Sequence, residues 1–324
     1  MSVLPRLLAL LESPGGVSGE RAARELGVSR AAVWKHIEKL RALGLAVAAQ
    51  AGRGYRCEVP VQWLDAERMR AALSPAARDR LHALEVHFEL DSTSSELARR
   101  AAEGAPGGIV CFAETQGQGR GRRGRAWHSP LGANLYFSVL WRFDEGLSAM
   151  SGLSLAVGVA LARALRALGA DVALKWPNDL VARGRKLGGV LVEVGGEWQG
   201  PCHAIVGIGI NLRMPADAPA IDQPYVDLAT LLGDAMPSRE ACAVALLDAL
   251  LPALARFAAH GAGEFLAAWP AFDALAARDV QVLAGERRIV GTACGIDAQG
   301  RLLVALPDGT VEPFGSAEVS VRAR

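Results

Sequence analysis

Along the chain the spacing of apolar residues shifts from a helical to an alternating period and back. Over 3–11, 19–26 and 30–43 they recur every three or four positions, the last through Val33, Ile37, Leu40 and Leu43. That is the repeat of helices with one buried face. Gly27-Val28 makes a tight turn, Ser29 is placed to cap the helix that follows, and Gly44 ends it. Residues 45–51 and 55–59 then alternate around Gly52-Arg53-Gly54, as in a hairpin. Helix, glycine turn, helix and hairpin predict a winged helix-turn-helix over 1–62. A short helix at 64–73 and a break at 74–78 lead out of it.

From 63 to 272, strand-like runs at 84–90, 108–113, 134–141, 172–176, 187–194 and 203–212 interleave with helical runs at 97–103, 148–168, 239–260 and 263–269. The turns are short, which favours antiparallel neighbours. The expectation is a mixed, mainly antiparallel sheet with helices on one face. Over 273–324, five short alternating runs at 280–283, 288–294, 302–306, 310–313 and 319–321 are separated by turn residues, including Asp308-Gly309. They predict a small SH3-like β-barrel. The class is therefore α+β, in three domains.

Composition narrows the function. The chain has 324 residues, 51% hydrophobic and 21% charged, with a net charge of +1. It can bury a core but is not basic overall, so any nucleic-acid contact must be a local patch. The five cysteines are scattered, without CxxC or Cys/His clustering, which argues against a disulfide framework or a zinc site. No run reads as a signal peptide or a membrane span, since 153–168 is interrupted by Arg163 and Arg166. A cytoplasmic protein is expected.

Candidate chemistry centres on Glu114-Thr-Gln-Gly-Gln-Gly-Arg-Gly-Arg-Arg-Gly-Arg-Ala-Trp127, a loop held between two strands. Glycines let backbone approach a ligand, and guanidinium groups grip carboxylates and phosphates in pairs of hydrogen bonds. A small anion carrying both groups fits such a loop; so does a solvated RGG-like tract that binds nucleic acid. Thr93-x-x-Glu96 fits a capping box, and Ser92 and Thr93 can cap a helix, donate hydroxyls to a polar ligand, or do both. Lys175 lies in an apolar strand, where an anion or an edge position would explain it. Lys186 opens the next strand predicted, so both ammonium groups could face one cleft, although a lysine at a turn can also be merely solvated. Asn178-Asp179 can be turn residues, and Asn211, ending a strand, can cap a loop or meet a nucleotide. On the helix 30–43, Arg30, Trp34, Lys35, Lys39 and Arg41 stand away from the apolar stripe, and Arg53 sits at the wing tip. Such cations neutralise phosphates; Arg30, Lys35, Lys39 and Arg53 are the DNA-binding candidates, with a protein-contact face as the alternative.

Gly-Arg-Gly-Arg-Arg-Gly-Arg-Ala-Trp127, Lys175-Trp-Pro-Asn-Asp-Leu, Lys186-Leu-Gly-Gly-Val-Leu-Val-Glu and Gly-Ile-Gly-Ile-Asn211-Leu, in this order behind a helix-turn-helix module, closely resemble the bifunctional biotin protein ligases that also repress biotin genes. The resemblance covers nearly the whole chain. It implies a class II synthetase-like central sheet and a C-terminal domain that assists ATP and carrier binding. It also implies a two-step reaction: biotin and ATP give biotinyl-5′-AMP and pyrophosphate, and a lysine of a biotin carboxyl carrier protein then takes the biotinyl group. By the same resemblance Ser92, Thr93, Ser94, Gln116, Arg120, Gly121, Arg122 and Lys175 would serve biotin. Arg122, Trp127, Lys186 and Asn211 would serve the adenylate, with Arg122 and Lys175 catalytic. Ser94 is the exception in pattern, since the chain reads Thr93-Ser94-Ser95 where bifunctional relatives read Thr-Asn-Gln. Mg²⁺ is expected to bridge the triphosphate, with no dedicated carboxylate cage apparent. Operator DNA and a homodimer formed with the adenylate bound complete the implied partners. A lipoate ligase, or a biotin sensor without catalysis, is the alternative.

Overall fold

The computed structural model describes residues 3–50, 54–58, 61–215, 221, 223–284, 287–315 and 319–323. Helices α1 (Val3–Leu11), α2 (Gly19–Leu26) and α3 (Arg30–Ala42) precede a hairpin of β1 (Val47–Gln50) and β2 (Gly54–Cys57). The caps fall where the residue types put them: Ser18 accepts from Arg21 N and Ser29 from Ala32 N, both at 3.1 Å. Gly27 ends α2 with φ 69°, a left-handed conformation that suits glycine. Leu7, Leu11, Ala22, Val33, Ile37 and Leu40 form the buried core of this unit, and Leu131 from the central region is packed among them. The wing-tip candidate Arg53 lies outside the described residues.

Helices α4 (Ala66–Ala72) and α5 (Pro75–Arg78) connect to the central region. The expected break at 74–78 is in fact α5: Ser74 caps it and Pro75 sits in its first turn, where the missing N–H costs nothing. Next come β3 (Ala83–Leu90), α6 (Thr93–Ala102), β4 (Ile109–Gln116), β5 (Leu135–Phe143), α7 (Leu153–Ala167), β6 (Ala173–Lys175), β7 (Asp179–Ala182), β8 (Arg185–Gly196) and β9 (Cys202–Ile210). Helices α8 (Leu228–Leu232), α9 (Arg239–His260) and α10 (Gly263–Ala268) follow. The seven strands run in the order β3-β4-β5-β9-β8-β7-β6. Only β3 and β4 pair in parallel; the other pairs are antiparallel.

Three expectations change here. The helical run 148–168 is broken, because Gly152 takes φ 80° and starts α7 afresh behind a short 3-10 turn. Strand β7 was hidden in residues that read as a turn. Helices cover both faces, not one: Val110, Phe112, Phe137, Val139 and Val206 pack with α7 and α9, while Ile109, Cys111, Leu140 and Ile205 pack with Leu97 and Ala101 of α6. By length and composition α9 could also cross a membrane, although half of its most apolar stretch is buried inside the protein.

The last five strands, β10 (Asp279–Ala284), β11 (Arg287–Ile296), β12 (Leu302–Ala305), β13 (Val311–Phe314) and β14 (Val319–Ala323), form one antiparallel sheet in the order β13-β12-β11-β10-β14. It joins the central core through Val280, Leu302 and Val304. The Trp176 indole N–H donates to the Gly300 carbonyl at 3.0 Å.

Candidate active site

The α6 face of the sheet gathers candidate residues from several strands. Side chains directly opposite each other in paired strands share a face. The register runs Lys175–Asp179–Gly189–Gly209–Tyr136 across β6, β7, β8, β9 and β5, and beside it Ser138–Gly207. Three glycines thus leave a shallow floor. A Cβ at Gly207 would sit 2.6 Å from Ser94 Oγ, and one at Gly209 would enter the Trp127 indole, 2.7 Å from Nε1. Polar groups stand at one end of this floor, and an aromatic ring with cations at the other.

At the polar end α6 starts with Ser92 as its N-cap, accepting from Ser95 N at 3.5 Å. The capping box therefore does not form as expected, and Glu96 turns instead to Arg99 and Arg100. That releases Thr93. Its N–H and its hydroxyl both donate to Gln116 Oε1, at 2.9 and 3.2 Å, and its Oγ1 lies 2.8 Å from Ser138 Oγ. Ser94 Oγ lies 2.9 Å from the same Ser138 oxygen. Ser92, Thr93, Ser94 and Ser138 are all buried. Ser138 is absent from the sequence-derived set. The available signal was a lone hydroxyl in the otherwise apolar run Leu-Tyr-Phe-Ser-Val-Leu-Trp.

The glycine-arginine loop folds back on itself: Trp127 N donates to Gly119 O at 2.8 Å and Gly121 N to Arg125 O at 2.7 Å. Arg122 is half-buried and donates to Asn178 Oδ1 at 3.3 Å. Burial, and next the charge of Arg123, lower its pKa from the ordinary arginine value. Arg120 is more exposed and meets Glu193 at 3.2 Å.

Lys186 pairs with Asp179 at 2.6 Å, and its Nζ stands 5.4 Å from the Trp127 ring centroid. Its strand is not beside that of Lys175, because β7 lies between them. The two lysines nevertheless flank one residue: Asp179 is opposite Lys175 in register and bonded to Lys186. The Trp127 Nε1–H is buried without a hydrogen-bond partner among the described residues. Asn211 braces the backbone around it. Its side-chain N–H group donates to the carbonyls of Val226 at 3.1 Å and Lys186 at 3.4 Å, which fixes the start of β8.

Beneath the loop lies a second feature unseen in sequence. Arg239, at the start of α9, pairs with Glu114 in a fully enclosed setting. Arg239 Nε also donates to Asn134 O at 2.9 Å, and Glu114 Oε1 accepts from Leu64 N at 2.9 Å. On α3, Arg30 and Lys35 are exposed as expected, and Trp34 is 54% exposed. Lys39 instead pairs with Glu89 at 2.8 Å, tying α3 to the end of β3.

Comparison with known proteins places this geometry. The Biotin/lipoate A/B protein ligase family matches residues 89–211, a helix-turn-helix (HTH) domain matches 4–56, and the Biotin protein ligase C terminal domain matches 278–322. The Bifunctional ligase/repressor BirA of Salmonella typhimurium is 40% identical over 98% of this chain and 97% of its own. That of Bacillus subtilis is 31% identical over 97% of both. Among solved structures, biotin protein ligase from Aquifex aeolicus in complex with biotin and ATP superposes with a TM-score of 0.64 at 28% identity, covering 75% of this chain and 100% of that one. Identity of this order over nearly the full length, with all three domains matched in order, shows that the chain belongs to the biotin protein ligase family, in its bifunctional ligase/repressor branch.

Proposed function

We propose that this chain activates biotin with ATP, transfers it to a lysine of a carboxyl carrier protein, and represses biotin genes through its winged helix when the adenylate is bound. One observation carries the site assignment. Hydroxyls, a glycine floor, an indole and cations occupy one face of one sheet, in the order a ring, a chain, a carboxylate and a nucleotide would need. Ser92, Thr93, Ser94 and Gln116 would take the biotin ring, with the loop backbone at Arg120, Gly121 and Arg122 closing over it. Trp127 would flank the adenine.

The chemistry asks for little beyond charge and position. The biotin carboxylate attacks the α-phosphorus of ATP; a new O–P bond forms and pyrophosphate leaves. Two anions repel, and fixed cations at Arg122, Lys175 and Lys186 offset that repulsion where charge develops. Holding the pair in line supplies more of the acceleration. The carrier lysine amine then attacks the acyl carbon and AMP departs. Among the described residues no group of three or more His, Cys, Asp or Glu side chains gathers. Mg²⁺ would arrive on the triphosphate, and no step here depends on where it sits. Asn211 enters this reading as a support for the strand bearing Lys186, and Lys39 as an interdomain tie. That leaves Arg30, Lys35 and Arg53 for DNA phosphates, in a dimer that spans two half-sites.

The test is pyrophosphate exchange into ATP, with biotin and lipoate offered separately. Exchange with biotin is expected. Exchange with lipoate alone would overturn the substrate, and no exchange with either would leave a sensor without catalysis.

A further inference from the structure

The hydroxyl cluster at the polar end has a direction that hydrogen-bond counting fixes. Thr93 N–H must donate, so the atom of Gln116 it meets at 2.9 Å is the amide oxygen. The other end of the amide agrees: Gln116 Nε2 donates to Ser129 Oγ at 3.1 Å, and Ser129 donates on to Trp127 O at 3.3 Å. Thr93 Oγ1 lies 3.2 Å from that same amide oxygen. An amide oxygen cannot donate, so the hydrogen bond in this contact is Thr93's, and it takes up the oxygen's second lone pair. The proton in the 2.8 Å contact between Thr93 and Ser138 then belongs to Ser138. The proton in the 2.9 Å contact between Ser138 and Ser94 belongs in turn to Ser94. The relay runs from Ser94 to Ser138 to Thr93 to Gln116, and every hydroxyl proton is used inside it. Ser94 Oγ is left with lone pairs and nothing to donate, directly above Gly207, where even a methyl group would come within 2.6 Å of it.

We propose that Ser138, which contacts no ligand in the site reading above, is a positioning residue that sets this polarity and makes the end of the cleft selective for ring N–H groups. A ureido ring carries such donors; a dithiolane or a plain alkyl chain does not. A buried acceptor discriminates sharply, because a ligand without the donor leaves it unpaired. The inference rests on the proposed biotin site.

Three variants test it in the full-length chain, with the exchange assay run against biotin and against desthiobiotin, which keeps both ring N–H groups. Octanoate serves as a competitor that has none. Ser138→Ala frees the Ser94 proton to point outward. The KM for both ureido ligands should rise by about tenfold, the worth of one hydrogen bond, while kcat holds and octanoate inhibition stays or improves. Ser94→Ala should give a similar rise, and the double variant should be no worse than Ser94→Ala alone, because Ser138 acts through Ser94. Ser138→Cys fills nearly the same volume with a weak donor. It should match Ser138→Ala in KM while keeping the wild-type melting temperature, and it carries the test if the alanine variant folds poorly. An unchanged biotin KM in both Ser138 variants, additive losses in the double variant, or equal weakening of octanoate would each overturn the relay. Absence of biotin-dependent exchange in the wild type would instead overturn the site reading itself.

Discussion

Replacing Gly209 with alanine drives a methyl group into the Trp127 indole. The new Cβ would lie 2.5 Å from Cζ2 and 2.7 Å from Nε1. Relaxed carbon contacts are about 3.5–4.0 Å, so the ring must retreat by about 1 Å or more. It cannot do so freely, since Trp127 N is tied to Gly119 O at 2.8 Å and Lys186 stands over the ring. Overpacking of this kind costs about 1–3 kcal/mol, equivalent to about 5- to 150-fold in affinity if it falls on the ring that flanks the nucleotide. The expected result in ATP–pyrophosphate exchange is a KM for ATP raised within that range and a KM for biotin nearly unchanged, because the hydroxyl cluster lies one pleat away over Gly207. Trp127→Phe, which lacks both clashing atoms, should make the double variant better than the two single losses combined. Gly263→Ala is the control, because its methyl group would meet nothing within 4 Å. A well-folded Gly209→Ala enzyme with wild-type KM for ATP would refute the assignment of this floor to the nucleotide.

Two further predictions follow from buried and half-exposed charges. Arg239→Ala strands Glu114, whose side chain is only 4% exposed, as an unpaired buried carboxylate; the loss should be about 3–5 kcal/mol, read as a fall in the urea midpoint, and an unmoved midpoint would refute it. Asp91 is held down to about 2 by Arg99, with further help from the Ser92 N–H. A depressed carboxylate contributes stability that is complete above its unfolded pKa near 3.8 and fades as pH falls towards 2. Asp91 is 40% exposed, so screening limits the effect to about 0.5 kcal/mol: Asp91→Asn should lower thermal stability slightly at pH 7 and by much less at pH 2, and a gap undiminished at pH 2 would contradict the pairing.

What could be read from sequence follows physical range. The winged helix was legible because its determinants are local: the stripe Val33, Ile37, Leu40 and the caps Ser18 and Ser29 act within a few residues. The four motifs of the candidate site were legible as types of chemistry. Alternation shows which residues share a face but not which partner covers it, so α6 on the second face went unseen. Strand β7 was masked because Asn178-Asp179 after Pro177 carries turn chemistry, although Asp179 pairs in register with Lys175 and Gly189. Ser138 and Arg239 find their partners across 44 and 125 residues, beyond any pattern of spacing. Asn211 and Lys39 make contacts that no spacing predicts, to backbone carbonyls and to Glu89, beside the roles expected of them.

Leu131 belongs by sequence to the segment following the glycine-arginine loop, yet its side chain completes the core around Leu7, Ile37 and Leu40, and its N–H bonds the Leu43 carbonyl at 2.7 Å. The DNA-reading unit is therefore not a detachable cassette. Grafted onto another ligase, or cut away, it would leave a leucine-sized hole on one side and a bare leucine on the other. A peg supplied by the catalytic region thus helps hold α3 in place, so a change in the segment after the loop is felt in the helix that faces outward.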